Sequence, residues 1–135
     1  MIPETQKLTS LGGLRQGSRV NVEPSLRLMD RLNGHVVLGH VDSVGVIARQ
    51  KSLPGEVILT IRVGKDLRRC LVPKGPITVD GVSLTVGLRL TRDTFTIHLI
   101  PETLKRTTLH MLAAGDKVNI EIDYLAKLTH QFLKA

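Results

Sequence analysis

With 135 residues, 41% of them hydrophobic, the chain is sized for one compact domain with a real core rather than for a disordered segment. No apolar run approaches the ~20 residues that span a bilayer, and the start lacks a charged-then-apolar leader pattern, so a cytoplasmic protein is expected and a membrane partner is not. The net charge of +7 invites a nucleic-acid reading, yet Lys and Arg are scattered and only Phe95, Tyr124 and Phe132 could stack on bases; anionic small molecules suit the same surface, and no nucleic-acid partner is expected.

In chain order, the first feature is a repeat. Ile2-Pro3-Glu4-Thr5 returns as Ile100-Pro101-Glu102-Thr103, and the match runs without a gap to Glu23 and Glu121, with 12 identities in 22 positions. Repeats of this length mark a duplicated structural unit. About a hundred residues precede the second copy and one methionine precedes the first, so the chain reads as the tail of one domain followed by a whole one. Ser25 is placed to cap a helix over residues 26–32.

Residues 34–47 (GHVVLGHVDSVGVI) predict one long strand, or two with a bend at Gly39 or Gly45. A turn at Leu53-Pro54-Gly55 leads to a strand over residues 56–63, and residues 65–71 make a short helical candidate stopped by Pro73. Cys70, without a second cysteine, supports neither a disulfide nor a thiolate metal cluster and is expected to be a half-buried small side chain. Asp80-Gly81 is a strong turn signal between strands over residues 77–79 and 82–86. Thr91-Arg92-Asp93 makes a second turn before a strand over residues 94–100, and Pro101 opens a brief helix. Residues 117–122 form the last strand. Asp123 then caps a helix over residues 124–134, whose stripe of Leu125, Leu128 and Phe132 either closes a barrel end or meets a partner helix. Many short strands with few long helices predict an all-β fold: a small closed barrel with short accessory helices and a C-terminal helix.

Two stretches carry more polar groups than a structural barrel requires. In His35-Val36-Val37-Leu38-Gly39-His40-Val41-Asp42 the histidines have opposite parity, so an extended chain points them to opposite faces, which argues against a shared metal. His40 is a candidate general acid or base, set against a plain surface histidine. In Lys74-Gly75-Pro76-Ile77-Thr78-Val79-Asp80-Gly81-Val82-Ser83-Leu84-Thr85, the Ser83 and Thr85 hydroxyls share one strand face. Beside Asp80 and Lys74, that face suits a heterocycle edged with amides, or it is merely the wet side of an edge strand. No phosphate-loop or dinucleotide fingerprint is present.

GHVVLGHVD, KGPITVDGVSLTV, HLIPETLKRTTL and GDKVNIEID, in this order, resemble the C-terminal barrel of the riboflavin synthases, from Gly34 to the C-terminus. Residues 1–33 resemble the closing segment of that family's N-terminal barrel plus a linker. The resemblance implies a six-stranded Greek-key barrel. It also implies dismutation of two 6,7-dimethyl-8-ribityllumazine molecules to riboflavin and 5-amino-6-ribitylaminouracil, without metal or organic cofactor, in a homo-oligomer that is usually a trimer. By the same resemblance Val41, Ser83, Thr85, Ile100 and Thr103 line the pteridine pocket. His40, Lys74, Asp80, Ser83 and Asp123 lie near the reacting pair, with His40 as proton shuttle and Lys74 and Asp123 as aids to orientation or activation. The family's active site forms between an N-terminal barrel of one subunit and a C-terminal barrel of another. This chain carries no second DGVSLTV motif, and Ser25 stands where the second copy has Asp123. A non-catalytic lumazine- or flavin-binding module, as in the family's lumazine-protein relatives, is the other reading. An apolar face at Val20, Val22, Leu26 and Leu28 is expected to fold back on the barrel, fray, or pair with another subunit.

Overall fold

A computed structural model describes residues 2–133. Six antiparallel strands close into a barrel in the order β1-β2-β5-β4-β3-β6, with β6 returning to pair with β1. They are β1 (Ser43–Leu53), β2 (Glu56–Arg62), β3 (Pro76–Val79), β4 (Val82–Leu90), β5 (Thr94–Leu99) and β6 (Lys117–Ile122). The strand alternation aims Leu59, Ile61, Phe95, Ile97 and Leu99 inward, and each is completely buried. Burying each such side chain stabilises the fold by about 1.5–3 kcal/mol relative to leaving it in water. Around the core sit Leu67 and Cys70, half-buried, together with Leu104, Leu112 and the fully buried Leu109. Among the described residues no helix is long and apolar enough to cross a membrane.

The turns form where their chemistry lies. Asp80 and Gly81 both take positive φ (47° and 78°), which joins β3 to β4 in a two-residue hairpin with Val79 paired to Val82. The short helices α1 (Pro3–Leu8) and α3 (Pro101–Arg106) both begin on a proline. Each is followed by a 3₁₀ turn, Ser10–Gly13 and Thr108–Met111. The candidate helix after Val63 closes as a single turn, α2 (Lys65–Arg68). The last helix, α4 (Tyr124–Phe132), is capped as expected: Ala126 N–H donates to Asp123 Oδ2 at 3.2 Å. Lys134, its expected end, lies outside the described residues.

Three expectations are corrected. Residues 26–32 form no helix. Arg27 N–H donates to Asp30 Oδ2 (2.7 Å) and Asp30 N–H to Arg27 O (3.0 Å), making a turn with Met29 at φ 82°. So short a helix is marginal without a face to pack, and Leu26, Leu28 and Leu32 face solvent.

Residues 34–42 are not a strand either, because β1 begins only at Ser43. β3 and β6 pair with each other and with β4 and β1, so no free edge remains for this stretch to join. It crosses the outer faces of β4, β3 and β6 as a strap. Leu38 N–H donates to Glu121 Oε1 (2.9 Å), and Asp42 N–H donates to Ile120 O (2.8 Å). The strap explains why Thr78 and Glu121, on the outer face, are buried.

The α4 stripe does not close the barrel. Leu125 and Phe132 are exposed, and the helix meets the core through Ala126 and the strap through Lys127 Nζ, 2.8 Å from Asp42 Oδ2.

Residues 2–33 fold back on the barrel in part. Ser10 N–H donates to Asn119 Oδ1 (2.7 Å), Thr108 N–H donates to Asn21 Oδ1 (2.8 Å), and Asn21 Nδ2 donates to Asp80 O (2.8 Å). Ser10 and Thr108 are equivalent positions of the repeat, as are Asn21 and Asn119. The contact is therefore reciprocal, as across a local two-fold axis. Val20, Val22, Leu26 and Leu28 remain exposed.

Candidate functional site

The outer surface of β1, β2, β5 and β4 is hollowed into a groove of about 620 Å³. Strand alternation sends Arg49, Lys51, Thr60, Thr96 and His98 to this face, and Thr60 pairs with Thr96 across β2 and β5. Lys74 and Thr85, both expected site residues, line the same groove, and Arg89 adds a fourth cation. His98 Nδ1 lies 2.8 Å from Glu56 Oε2, so one carboxylate sits beside the otherwise cationic wall.

Ser83 stands two residues from Thr85 on the same face of β4, about 7 Å along the strand. One edge of β4 is taken by β3, from Pro76↔Thr85 to Val79↔Val82. On its other edge the ladder to β5 holds at Val86↔Ile97 and Leu90↔Phe95. Continuing the Val86↔Ile97 register by three residues brings Ser83 level with Ile100, at the mouth of α3, which carries Thr103 in its first turn. By that register Ser83 and Thr85 on β4 and Ile100 and Thr103 after β5 fall toward the same end of the seam, beyond the last β4–β5 pair at Val86↔Ile97. The Ile100 side chain is exposed; Ile100 O accepts from Leu104 N (3.1 Å), and Thr103 O accepts from Thr107 Oγ1 (2.7 Å).

The other expected residues lie elsewhere or are already engaged. Asp80 Oδ1 accepts from Asn119 N (2.7 Å) and Asn119 Nδ2 (3.0 Å), tying the hairpin to β6. Burial pushes the Asp80 carboxyl above the ordinary carboxylate value, and these two bonds from Asn119 pull the other way. Asp123 is spent on the α4 cap. His40 and Val41 line a separate hollow of about 310 Å³ facing Glu4, Thr5, Leu8 and Thr9. Among the described residues no group of three or more His, Cys, Asp or Glu is arranged to hold a metal ion.

Residue-by-residue reasoning passed over His35. Its Nδ1 is 2.8 Å from Ser83 Oγ and its Nε2 is 3.1 Å from Thr78 Oγ1, so the imidazole sits on the β3–β4 hairpin. The Thr78↔Ser83 pair puts those two hydroxyls side by side on the outer face. The signal available in sequence was a glycine before a histidine. Gly34 takes φ 87°, and a Cβ there would collide with Ser83 Oγ, so only glycine lets the strap come this close.

A family model described as the lumazine binding domain matches residues 38–123. Riboflavin synthase of Bacillus subtilis (strain 168) is 44% identical over 133 residues, covering 98% of this chain and 61% of that one. Riboflavin synthase of Mycobacterium tuberculosis (strain H37Rv) is 45% identical over 138 residues, covering 100% of this chain and 68% of that one. The chain spans about three fifths to two thirds of the length of these relatives. In fold it is similar to LumP complexed with riboflavin (TM-score 0.81, 22% identity, covering 90% of this chain and 65% of that one). It is likewise similar to LumP complexed with 6,7-dimethyl-8-(1'-D-ribityl) lumazine (TM-score 0.78, 21% identity, covering 90% and 64%). With the closed six-stranded barrel and the matched lumazine binding domain, these relatives show that the chain belongs to the riboflavin synthase family.

Proposed function

We propose that the barrel binds one 6,7-dimethyl-8-ribityllumazine at the β4–β5 seam, and that two such barrels brought face to face carry out the riboflavin synthase dismutation. The observation that carries the reading is the β4–β5 pairing at Val86↔Ile97, whose register continued by three residues sets Ser83 and Thr85 toward Ile100 and Thr103. There the hydroxyls of Ser83 and Thr85 offer donors and acceptors to the amide edge of a pteridine, and the exposed Ile100 side chain offers an apolar contact. Lys74 and the cationic groove lie beside them, suited to the polar ribityl chain.

On this reading chemistry asks little of any one side chain. The C7 methyl of the lumazine is acidic, so one molecule loses that proton to a modest base and its partner donates a four-carbon unit. Riboflavin and 5-amino-6-ribitylaminouracil result. Holding the two rings in register supplies about 7–11 kcal/mol of the barrier lowering. Asp80 and Asp123 then shape the site through Asn119 and the α4 cap. His40 and Val41, opposite Thr5, belong to a second surface that meets the other ligand. Residues 1–33 act as the closing segment of a second barrel and its linker, and residues 34–135 as the complete lumazine-binding barrel. The repeat supports this division: Val118 and Ile120 are wholly buried in β6, and their equivalents Val20 and Val22 are exposed like a sixth strand without its neighbours. A homo-oligomer, a trimer by family resemblance, would supply the facing barrel, in a cytoplasmic setting.

A cuvette experiment tests the reading. The chain is mixed at tens of micromolar with 6,7-dimethyl-8-ribityllumazine, while ligand fluorescence and riboflavin absorbance are followed together. Riboflavin formed in proportion to protein supports dismutation. A saturable fluorescence change without riboflavin supports a binding module that needs a partner barrel. No change in either signal overturns both.

A further inference from the structure

We propose that His35 is a positioning residue for Ser83: it holds the serine oxygen from the strap side and so leaves the serine's own hydrogen to point at a ligand acceptor. The inference rests on the lumazine-site reading above, and it begins with Thr78. Thr78 is 2% exposed, and among the described residues the hydrogen-bond partner of its hydroxyl is His35 Nε2. No buried side-chain polar atom among the described residues lacks a partner.

Two tautomers of a neutral imidazole fit the distances, and they differ in what they strand. With the proton on Nε2, the ring donates to Thr78 Oγ1, and the threonine hydrogen is left buried with nothing to accept it. Leaving a buried donor unmade is the costly case. With the proton on Nδ1, Thr78 Oγ1–H donates to Nε2 and Nδ1–H donates to Ser83 Oγ. Among these three side chains every donor then has an acceptor except the half-buried Ser83 hydroxyl, whose hydrogen is left for a ligand. The structure thus assigns a directed relay, Thr78 to His35 to Ser83, that ends in a donor aimed away from the strap. Such a donor fits a carbonyl oxygen or ring nitrogen on the edge of a heterocycle. Gly34 makes the approach possible, because any side chain there would strike Ser83 Oγ.

Three measurements test the role. First, the ¹⁵N shifts of the His35 ring report the tautomer in the ligand-free protein. Protonated Nδ1 with bare Nε2 is expected, and the reverse overturns the relay whatever the protein binds. Second, lumazine affinity is read by fluorescence in a double-mutant cycle. His35→Ala should weaken binding about tenfold in the wild-type background. It should change binding less than about twofold in a Ser83→Ala background. Equal losses in both backgrounds overturn action through Ser83. Third, His35→Asn sets an amide donor near the place of Nδ1 and His35→Gln sets an amide acceptor near the place of Nε2. Asn should restore affinity to within about threefold while Gln should not, and the opposite order overturns the proposal. Wild-type protein that binds no lumazine sinks the functional reading and this role together. Wild-type binding that His35→Ala leaves unchanged sinks the role alone.

Discussion

The two copies of the repeat start from nearly the same letters and end in different structures. Where the signals are local, the copies agree. Pro3 and Pro101 open the helices, and Thr9 and Thr107 end them in the same way. Thr9 Oγ1 donates to Thr5 O (2.6 Å) and accepts from Leu11 N (3.2 Å); Thr107 Oγ1 donates to Thr103 O (2.7 Å) and accepts from Leu109 N (3.3 Å). Beyond the 3₁₀ turns the copies part. Val118-Asn119-Ile120-Glu121 is a strand held between β1 and β3, while Val20-Asn21-Val22-Glu23 forms none. Propensity is the same in both, so the difference belongs to the neighbours: a helix or cap is written in its own few residues, whereas a strand needs partners that the rest of the fold brings.

The sharpest way to break this comparison is to truncate matched apolar positions. Ile120→Ala should cost about 2–5 kcal/mol by denaturant unfolding, because it empties part of a fully packed core. Val22→Ala, at the equivalent position, should stay within about 0.5 kcal/mol of wild type. Similar losses would mean that residues 18–23 are covered in solution.

Next come the paired asparagines. Asn119→Ala removes bonds to Asp80 Oδ1 and to Ser10 N–H, and should cost about 1–3 kcal/mol. Asn21→Ala should cost about 0.5–1.5 kcal/mol and speed hydrogen exchange at the Thr108 amide, while Asn119→Ala does so at Ser10. Exchange that ignores both substitutions would contradict the reciprocal docking.

The caps give smaller effects that should be alike in kind. Thr9→Ala and Thr107→Ala each remove the same two bonds, worth about 0.5–2 kcal/mol to the local helix end. Only Thr107→Ala should lower global stability, because only its copy is continuous with the core through Leu109.

The smallest expected effect is a pH slope. Asp80 titrates above its ordinary value through burial, so the folded state holds its proton more tightly than the unfolded chain. The stability that this protonated form contributes is fully present below the unfolded-chain value and is lost as pH rises through the raised one. Asp80→Asn, which keeps an acceptor for Asn119, should flatten that segment of a stability-against-pH curve. A wild-type curve that instead rises with pH there would reverse the sign and the assignment.

The same division between local and non-local explains what was legible beforehand. Asp80-Gly81, Leu53-Pro54-Gly55 and Pro101 are self-contained signals, and the two hairpins and α3 stand where they indicate. The barrel follows from alternation in residues such as Phe95, Ile97 and Leu99. The strap misled because Val36, Val37 and Leu38 look like a strand; what removes them from the sheet is that β3 and β6 occupy each other's edges. His35 is the same case: Gly34 beside it hints at a close approach, but the partners Thr78 and Ser83 lie more than forty positions away. Ser25 offered a cap to residues 26–32, which had no face to bury.

On the proposed function, the Ser83 end of the β4–β5 seam holds lumazine. Calorimetric titration of 6,7-dimethyl-8-ribityllumazine into the wild-type chain and into Ser83→Ala tests it most directly. Wild type should saturate at about one ligand per barrel, and Ser83→Ala should lower the affinity about tenfold or more. Wild-type saturation that Ser83→Ala leaves untouched would contradict that placement, and so would no saturable heat at all.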